Sequence, residues 1–212
     1  MPLYKTITVD RETSLSIWKV DETEEYLANG IRLSMHCQKR FDGMKSQMHR
    51  RAFLSIRHLM AHYGYLDTDL FYDKVGKPHL NDGKFISITH SHNFTGIIIS
   101  ENKQVGIDIE MQREKILRIA HKFTSFEEYN TLANTEAIIR KLTIVWGAKE
   151  SLYKIYGEQG ISFLHHIDVA DFSFNEKKTT AAILYEGEAS NYSIDFLEFE
   201  GFTCVYAMRN SQ

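Results

Sequence analysis

The stretch Val105-Gly106-Ile107-Asp108-Ile109-Glu110 places two carboxylates two residues apart. Read as a strand, its side chains alternate between two faces. Val105, Ile107 and Ile109 then share a face suited to a core, and Gly106, Asp108 and Glu110 share the other. The Cα atoms of the two acids stand roughly 6–7 Å apart. Both can therefore reach one hard cation such as Mg²⁺, which takes oxygen ligands. Like charges this close repel, so the pair needs a counter-charge to stay ionised in a cleft. Gly106, on the same face, leaves room for a ligand to approach the backbone. Taken alone, the six residues are better read as a sheet with one wet face carrying ordinary acids.

Two further segments bear on the choice. Residues 135 to 156 contain no proline and read as one long helix, with Leu142, Val145, Leu152, Ile155 and Tyr156 as its apolar stripe. Within it lies Trp146-Gly147-Ala148-Lys149-Glu150-Ser151-Leu152-Tyr153-Lys154. Glu150 and Lys154, four apart, share a face with Trp146, and Lys149 and Tyr153 border it. By themselves, Glu150 and Lys154 read better as an exposed helical ion pair, worth about 0.3–0.5 kcal/mol, than as a site. Upstream, Gly76-Lys77-Pro78-His79-Leu80 reads as a turn holding a cation in a stiff loop. The alternating run that follows ends in Thr89-His90-Ser91, groups that suit phosphate but are also common in turns.

In this order the segments resemble the signature of 4'-phosphopantetheinyl transferases of the Sfp type. That signature is a Gly-Lys-Pro loop, a Ser-His strand end, a Gly-Ile-Asp-x-Glu strand and a Trp-x-x-Lys-Glu-x-x-x-Lys helix. Here it stands as GKPHL, SITHS, VGIDIE and WGAKESLYK, spanning residues 76 to 154. Independent surface accidents are not expected to fall in one family's order. Thr89 stands where Ser is usual, and Gly147 where Ser, Thr or Cys is usual. Gly147 is expected to add helix flexibility, at up to about 1 kcal/mol. Neither change removes an expected metal ligand or cation.

The resemblance implies transfer of the phosphopantetheine arm of coenzyme A to a serine of an apo acyl or peptidyl carrier protein, releasing adenosine 3',5'-bisphosphate. It implies Mg²⁺, or Mn²⁺ in its place, held by Asp108, Glu110 and Glu150. Glu150 is the expected proton acceptor. Lys154 is expected to neutralise phosphate charge, and His90 joins these two as the third catalytic group. Lys77 and Pro78 of the loop, together with Thr89, His90 and Lys154, are the expected contacts to coenzyme A. Lys39, Arg40, Arg50 and Arg51 occupy the region where the family keeps cations for the 3'-phosphate, and arginine suits bidentate phosphate contact. The implied architecture is a monomer of two similar α+β subdomains in pseudo-twofold arrangement, with the active site between them. Trp146 is read as a core anchor outside the site, its indole N–H seeking a partner.

The elements that must position these groups follow from periodicity. Strands are expected near 6–10, 15–19, 85–90, 95–100 and 104–110, and helices near 23–28 and 45–63. The short connection Glu101-Asn102-Lys103 suggests that the strands on either side of it form an antiparallel hairpin. Beyond it, helices are expected near 114–121, 126–132 and 136–156, and strands near 167–174, 180–185, 193–198 and 203–208. Each half is helices on a mostly antiparallel sheet, an α+β pattern. The boundary is placed at 102, giving subdomains 1–102 and 103–212, the second carrying the acidic motif.

Composition excludes several classes. The chain has 212 residues, 43% hydrophobic and 25% charged, ordinary for a globular protein. Its net charge of -3 argues against a nucleic-acid partner. Cys37 and Cys204 form neither a disulfide framework nor a Cys-x-x-Cys metal pattern, which fits a reduced, cytoplasmic setting. The first residues lack a basic stretch followed by an apolar one, so no secretion signal is expected. No apolar run approaches the ~18 residues of a membrane span, so no membrane association is expected.

Three other readings compete. Another Mg²⁺-dependent phosphodiester enzyme, such as a nuclease, also combines Asp, Glu and Lys. A module that binds coenzyme A or a carrier protein without catalysis leaves three clustered carboxylates uncompensated. Zinc ligation by His58 and His62, or by His90 and His92, lacks an evident third ligand.

Overall fold

The computed structural model describes residues 3–125 and 134–210, which divide into two compact units, 1–102 and 103–212. The helix expected at 126–132 lies outside the described residues.

In the first unit, β1 (Leu3–Thr8) and β2 (Thr13–Lys19) are followed by three helices: α1 (Glu24–Ala28), α2 (Met35–Asp42) and α3 (Gln47–His62). A small hairpin follows, β3 (Leu70–Tyr72) with β4 (Pro78–Leu80). Then come β5 (Phe85–Ser91) and β6 (Phe94–Ser100). The main sheet is antiparallel in the order β1-β2-β6-β5. Ser46 caps α3 by accepting from the His49 amide, the interaction that satisfies one of the orphan donors of a helix start. Phe53, Leu54, Leu59 and Met60 of α3 pack with Trp18, Ile97 and Ile99 of the sheet. Two hydroxyl pairs tie helix to sheet: Ser55 Oγ to Thr95 Oγ1 at 2.8 Å and Ser16 Oγ to the Tyr63 hydroxyl at 2.7 Å. Helix α2 has no counterpart in the sequence expectations. It is eight residues long and buries only Cys37 and Phe41, too few apolar positions for the period to show.

In the second unit, β7 (Val105–Met111) leads to α4 (Lys115–Ile119) and then to the long α5 (Thr135–Tyr156). Strands β8 (Ile167–Val169), β9 (Lys178–Tyr185), β10 (Glu188–Phe199) and β11 (Phe202–Arg209) complete it. The sheet order is β7-β11-β10-β9-β8, antiparallel throughout. Asn134 caps α5 through the Ala137 amide at 2.9 Å, and Gly157, at φ +74°, ends it. That left-handed conformation is one glycine adopts without steric cost.

Two expectations are corrected. The strands flanking residues 101–103 are not a hairpin: β6 lies between β2 and β5, whereas β7, among the described residues, pairs with β11 alone. A short connection carries no pairing information when a better-matched strand is available; β11 offers β7 seven consecutive partners. The stripe of α5 is also double. Ile144, Ala148, Leu152 and Ile155 pack with Val205, Ala207, Ile194 and Phe196 of the sheet. Leu142 and Val145 pack instead with Ala120 and Phe123. A helix covered on two sides needs apolar residues on two sides, which blurs a one-face reading.

Candidate functional site

The acidic cluster is built by close approach of α5 to β7. A Cβ placed on Gly106 would fall 2.0 Å from the Ser151 carbonyl oxygen and 3.1 Å from Ile155 Cγ1. One on Gly147 would fall 2.7 Å from Val205 Cγ2 and 3.8 Å from Asp108 Oδ2. Val205 is the partner of Asp108 across the ladder. The space at Gly106 is thus taken by the helix backbone rather than by a ligand, and Gly147 is a packing requirement rather than a loose spot. Together the two glycines let the helix settle on the strand, with Glu150 and Lys154 above the face that carries Asp108 and Glu110.

Lys154 Nζ donates to the Ile107 carbonyl at 2.7 Å and to Asp108 Oδ1 at 2.8 Å. Asp108 is only 7% exposed, so its charge sits in a poorly screening environment and needs this partner. Burial pushes the Glu110 carboxyl up, the charge of Asp108 adds to this, and Arg113, Lys154 and a hydrogen bond from Trp146 oppose it. Glu150 is pushed up to about 7, by burial first and by the charge of Asp108 second, against the pull of Lys154; Glu110 adds a smaller push. The three carboxylates therefore feel one another.

Trp146, read from the sequence as a core anchor outside the site, packs among aromatic rings and also reaches one acid of the cluster. Its ring lies between Phe123 and Phe163, at centroid distances of 5.1 and 5.4 Å, and its side chain bonds Glu110. The Trp-to-acid spacing gives no hint of this, because the two residues are on different elements. Lys149, four per cent exposed, donates to the carbonyls of Phe123 and Phe163 at 2.5 and 2.7 Å. It ties together the two segments that hold Trp146.

The chemistry of the donor set suits a hard divalent cation: three carboxylates, all oxygen, whose mutual repulsion a cation relieves. As placed, no three His, Cys, Asp or Glu side chains among the described residues converge on one point tightly enough to ligate an ion. Lys154 supplies the counter-charge instead.

Apart from Lys154, the expected coenzyme A contacts lie in the first unit. Arg40 and His90 line a cleft of about 290 Å³, together with Met44, His49, Phe53, Tyr72 and Ile88. The Arg40 guanidinium lies 4.6 Å from the centre of the Tyr72 ring, and the His49 and His90 rings meet edge to face at 5.7 Å. His49 was not singled out from sequence. Thr89 and His90 cannot share this cleft: adjacent strand residues point to opposite faces, and Thr89 is 4% exposed on the side away from His90. Arg50 is engaged elsewhere, gripping Glu24 (Nη2 to Oε1, 2.6 Å) and donating to the Phe41 carbonyl at 3.1 Å. Arg51 donates to the Val20 carbonyl at 2.9 Å. Lys39 is exposed in the last turn of α2. Lys77 and Pro78 lie at the turn into β4, where Pro78 pairs with Tyr72.

Residues 104–207 match the sequence model of the 4'-phosphopantetheinyl transferase superfamily. This is the stretch that holds Asp108, Glu110, Glu150 and Lys154. Two curated relatives are similar to the chain. One is 4'-phosphopantetheinyl transferase HetI of Nostoc sp., 29% identical over 138 residues, covering 58% of each chain. The other is 4'-phosphopantetheinyl transferase gsp of Aneurinibacillus migulanus, 29% identical over 135 residues, covering 62% of this chain and 54% of the relative. The matched region thus spans little more than half the length of either relative. The likeness expected from the motifs is borne out by these matches. No described helix is long and apolar enough to cross a membrane.

Proposed function

We propose that this protein transfers the 4'-phosphopantetheine arm of coenzyme A to a serine of an apo carrier protein. The observation that supports it most is the packing of α5 on β7, which assembles buried Asp108 and half-buried Glu110, Glu150 and Lys154 in one charge-coupled group. In the reaction the serine Oγ forms a bond to the β-phosphorus of the pyrophosphate bridge. The bond from that phosphorus to the bridging oxygen breaks, and adenosine 3',5'-bisphosphate leaves with the electron pair. Such transfers depend on positioning and charge neutralisation.

On this reading Asp108, Glu110 and Glu150 hold Mg²⁺ or Mn²⁺, which when bound neutralises pyrophosphate charge. Glu150 accepts the serine proton, directly or through a water; an acceptor near neutrality is well matched to that task. Lys154 balances charge on the transferred phosphate. Lys77 and His90 contact the phosphates of coenzyme A, and Arg40, beside His90, is the cation best placed for the 3'-phosphate. The reading includes the pseudo-twofold relation of the halves implied by the resemblance, a monomeric state and a cytoplasmic setting.

Intact-mass spectrometry of an apo acyl carrier protein incubated with the protein, coenzyme A and Mg²⁺ tests the proposal. A gain of one phosphopantetheine, lost on adding EDTA, is the expected result. No gain across acyl and peptidyl carriers, with no binding of coenzyme A, overturns it.

A further inference from the structure

The loop that carries Lys77 is organised by one side chain that the motifs do not include. Asp73 follows β3 and opens the five-residue connection 73–77 to β4. Its Oδ1 accepts from the amides of Val75 at 3.0 Å and Lys77 at 2.9 Å, and its Oδ2 pairs with His79 Nε2 at 3.0 Å. The backbone adds two bonds: Asp73 N donates to the Lys77 carbonyl at 3.1 Å, and Gly76 N to the Asp73 carbonyl at 3.1 Å. Lys77 is therefore held at both its N–H and its C=O by residue 73. The His79 ring is itself braced, stacked on Phe71 at 5.3 Å and 20°. Gly76 takes φ +88° with open space around it, so the turn, not crowding, requires glycine there.

These bonds matter because the hairpin is small. Strands of three residues are marginal by themselves, and a cation on a loose loop loses conformational freedom whenever it binds. A carboxylate satisfied by three donors removes much of that cost beforehand. We propose that Asp73 is a positioning residue that presets Lys77 to meet a phosphate of coenzyme A. The inference rests on the reading of Lys77 as a phosphate contact. Asp73 works through Lys77 and does not touch the ligand.

Calorimetric titration of the full chain with coenzyme A, alongside melting curves, tests this with D73A, D73N, K77A and the double variant D73A/K77A. D73A is expected to weaken binding about tenfold, a typical effect for losing charge-assisted bonds, with little change in melting temperature. The double variant should bind no more weakly than K77A, because two residues acting through one contact are not additive. D73N, which keeps an acceptor for the two amides, should recover most of the affinity. Additive losses, or D73A binding within about twofold of the parent, overturn the role of Asp73 while leaving that of Lys77 intact. K77A binding as well as the parent, or a parent chain that does not bind coenzyme A, overturns the reading of Lys77 and this inference with it.

Discussion

The Lys154 ammonium lies 2.8 Å from Asp108 Oδ1 and at the same time 2.7 Å from the Ile107 carbonyl. One cation on α5 thus grips both the side-chain and the backbone oxygens of the acidic strand. It couples helix position to the charge state of the site.

Removing that cation is expected to slow transfer more than it weakens coenzyme A binding. Lys154→Ala should lower kcat by roughly 10²–10³, in line with the loss of one preorganised charge. Asp108→Ala and Glu150→Ala should abolish metal-dependent transfer while leaving the far-ultraviolet spectrum of the folded protein. Near-normal turnover in either carboxylate variant sinks the metal assignment.

Gly106→Ala should be among the most damaging single changes in the chain. The added carbon would meet the Ser151 carbonyl at 2.0 Å, a backbone atom that cannot rotate away. A loss of about 3 kcal/mol or more is expected, at or beyond the top of the usual range for overpacking, because backbone must shift. Gly147→Ala meets a side-chain methyl of Val205 at 2.7 Å and should cost less. Urea denaturation of the two variants checks the order.

Lys149→Met keeps the length of the side chain but deprives two carbonyls of their donor. It should destabilise by about 2–4 kcal/mol if both are left unsatisfied. The fluorescence of Trp146 should shift to the red as Phe123 and Phe163 loosen around it. A variant with unchanged stability and spectrum would show that the buried amine is dispensable.

Glu150 makes stability depend on pH when metal is removed. Its carboxyl is raised to about 7, from 4.5, so the fold favours the protonated form. That stabilisation is present in full below the unfolded value and is lost as pH rises through the folded one. In EDTA the melting temperature should therefore fall between pH 5 and pH 8. Glu150→Gln should flatten the trend, and Mg²⁺ should reverse it at pH 8. A chelated protein that melts alike at both pH values contradicts the coupling of the three acids.

The acidic strand and the long helix were legible in the sequence because each announces itself locally. Alternation marks 105–111, and an uninterrupted period marks 135–156. The order of the four motifs was legible as well, and with it the likeness to one family. Helix α2 and the β3–β4 hairpin were not, because elements of eight and three residues bury too little to impose a period. Nor were the partners of the site residues. Nothing local distinguishes Arg40, beside His90, from Arg50, held by Glu24. The indole of Trp146 finds Glu110, and Gly106 admits a helix rather than a ligand, only through a contact some forty residues distant along the chain. Sequence by itself determined which chemical groups are present and which faces they occupy on their own elements. Tertiary structure alone decided which faces meet, because strand pairing and helix packing are settled by long-range complementarity of shape and burial.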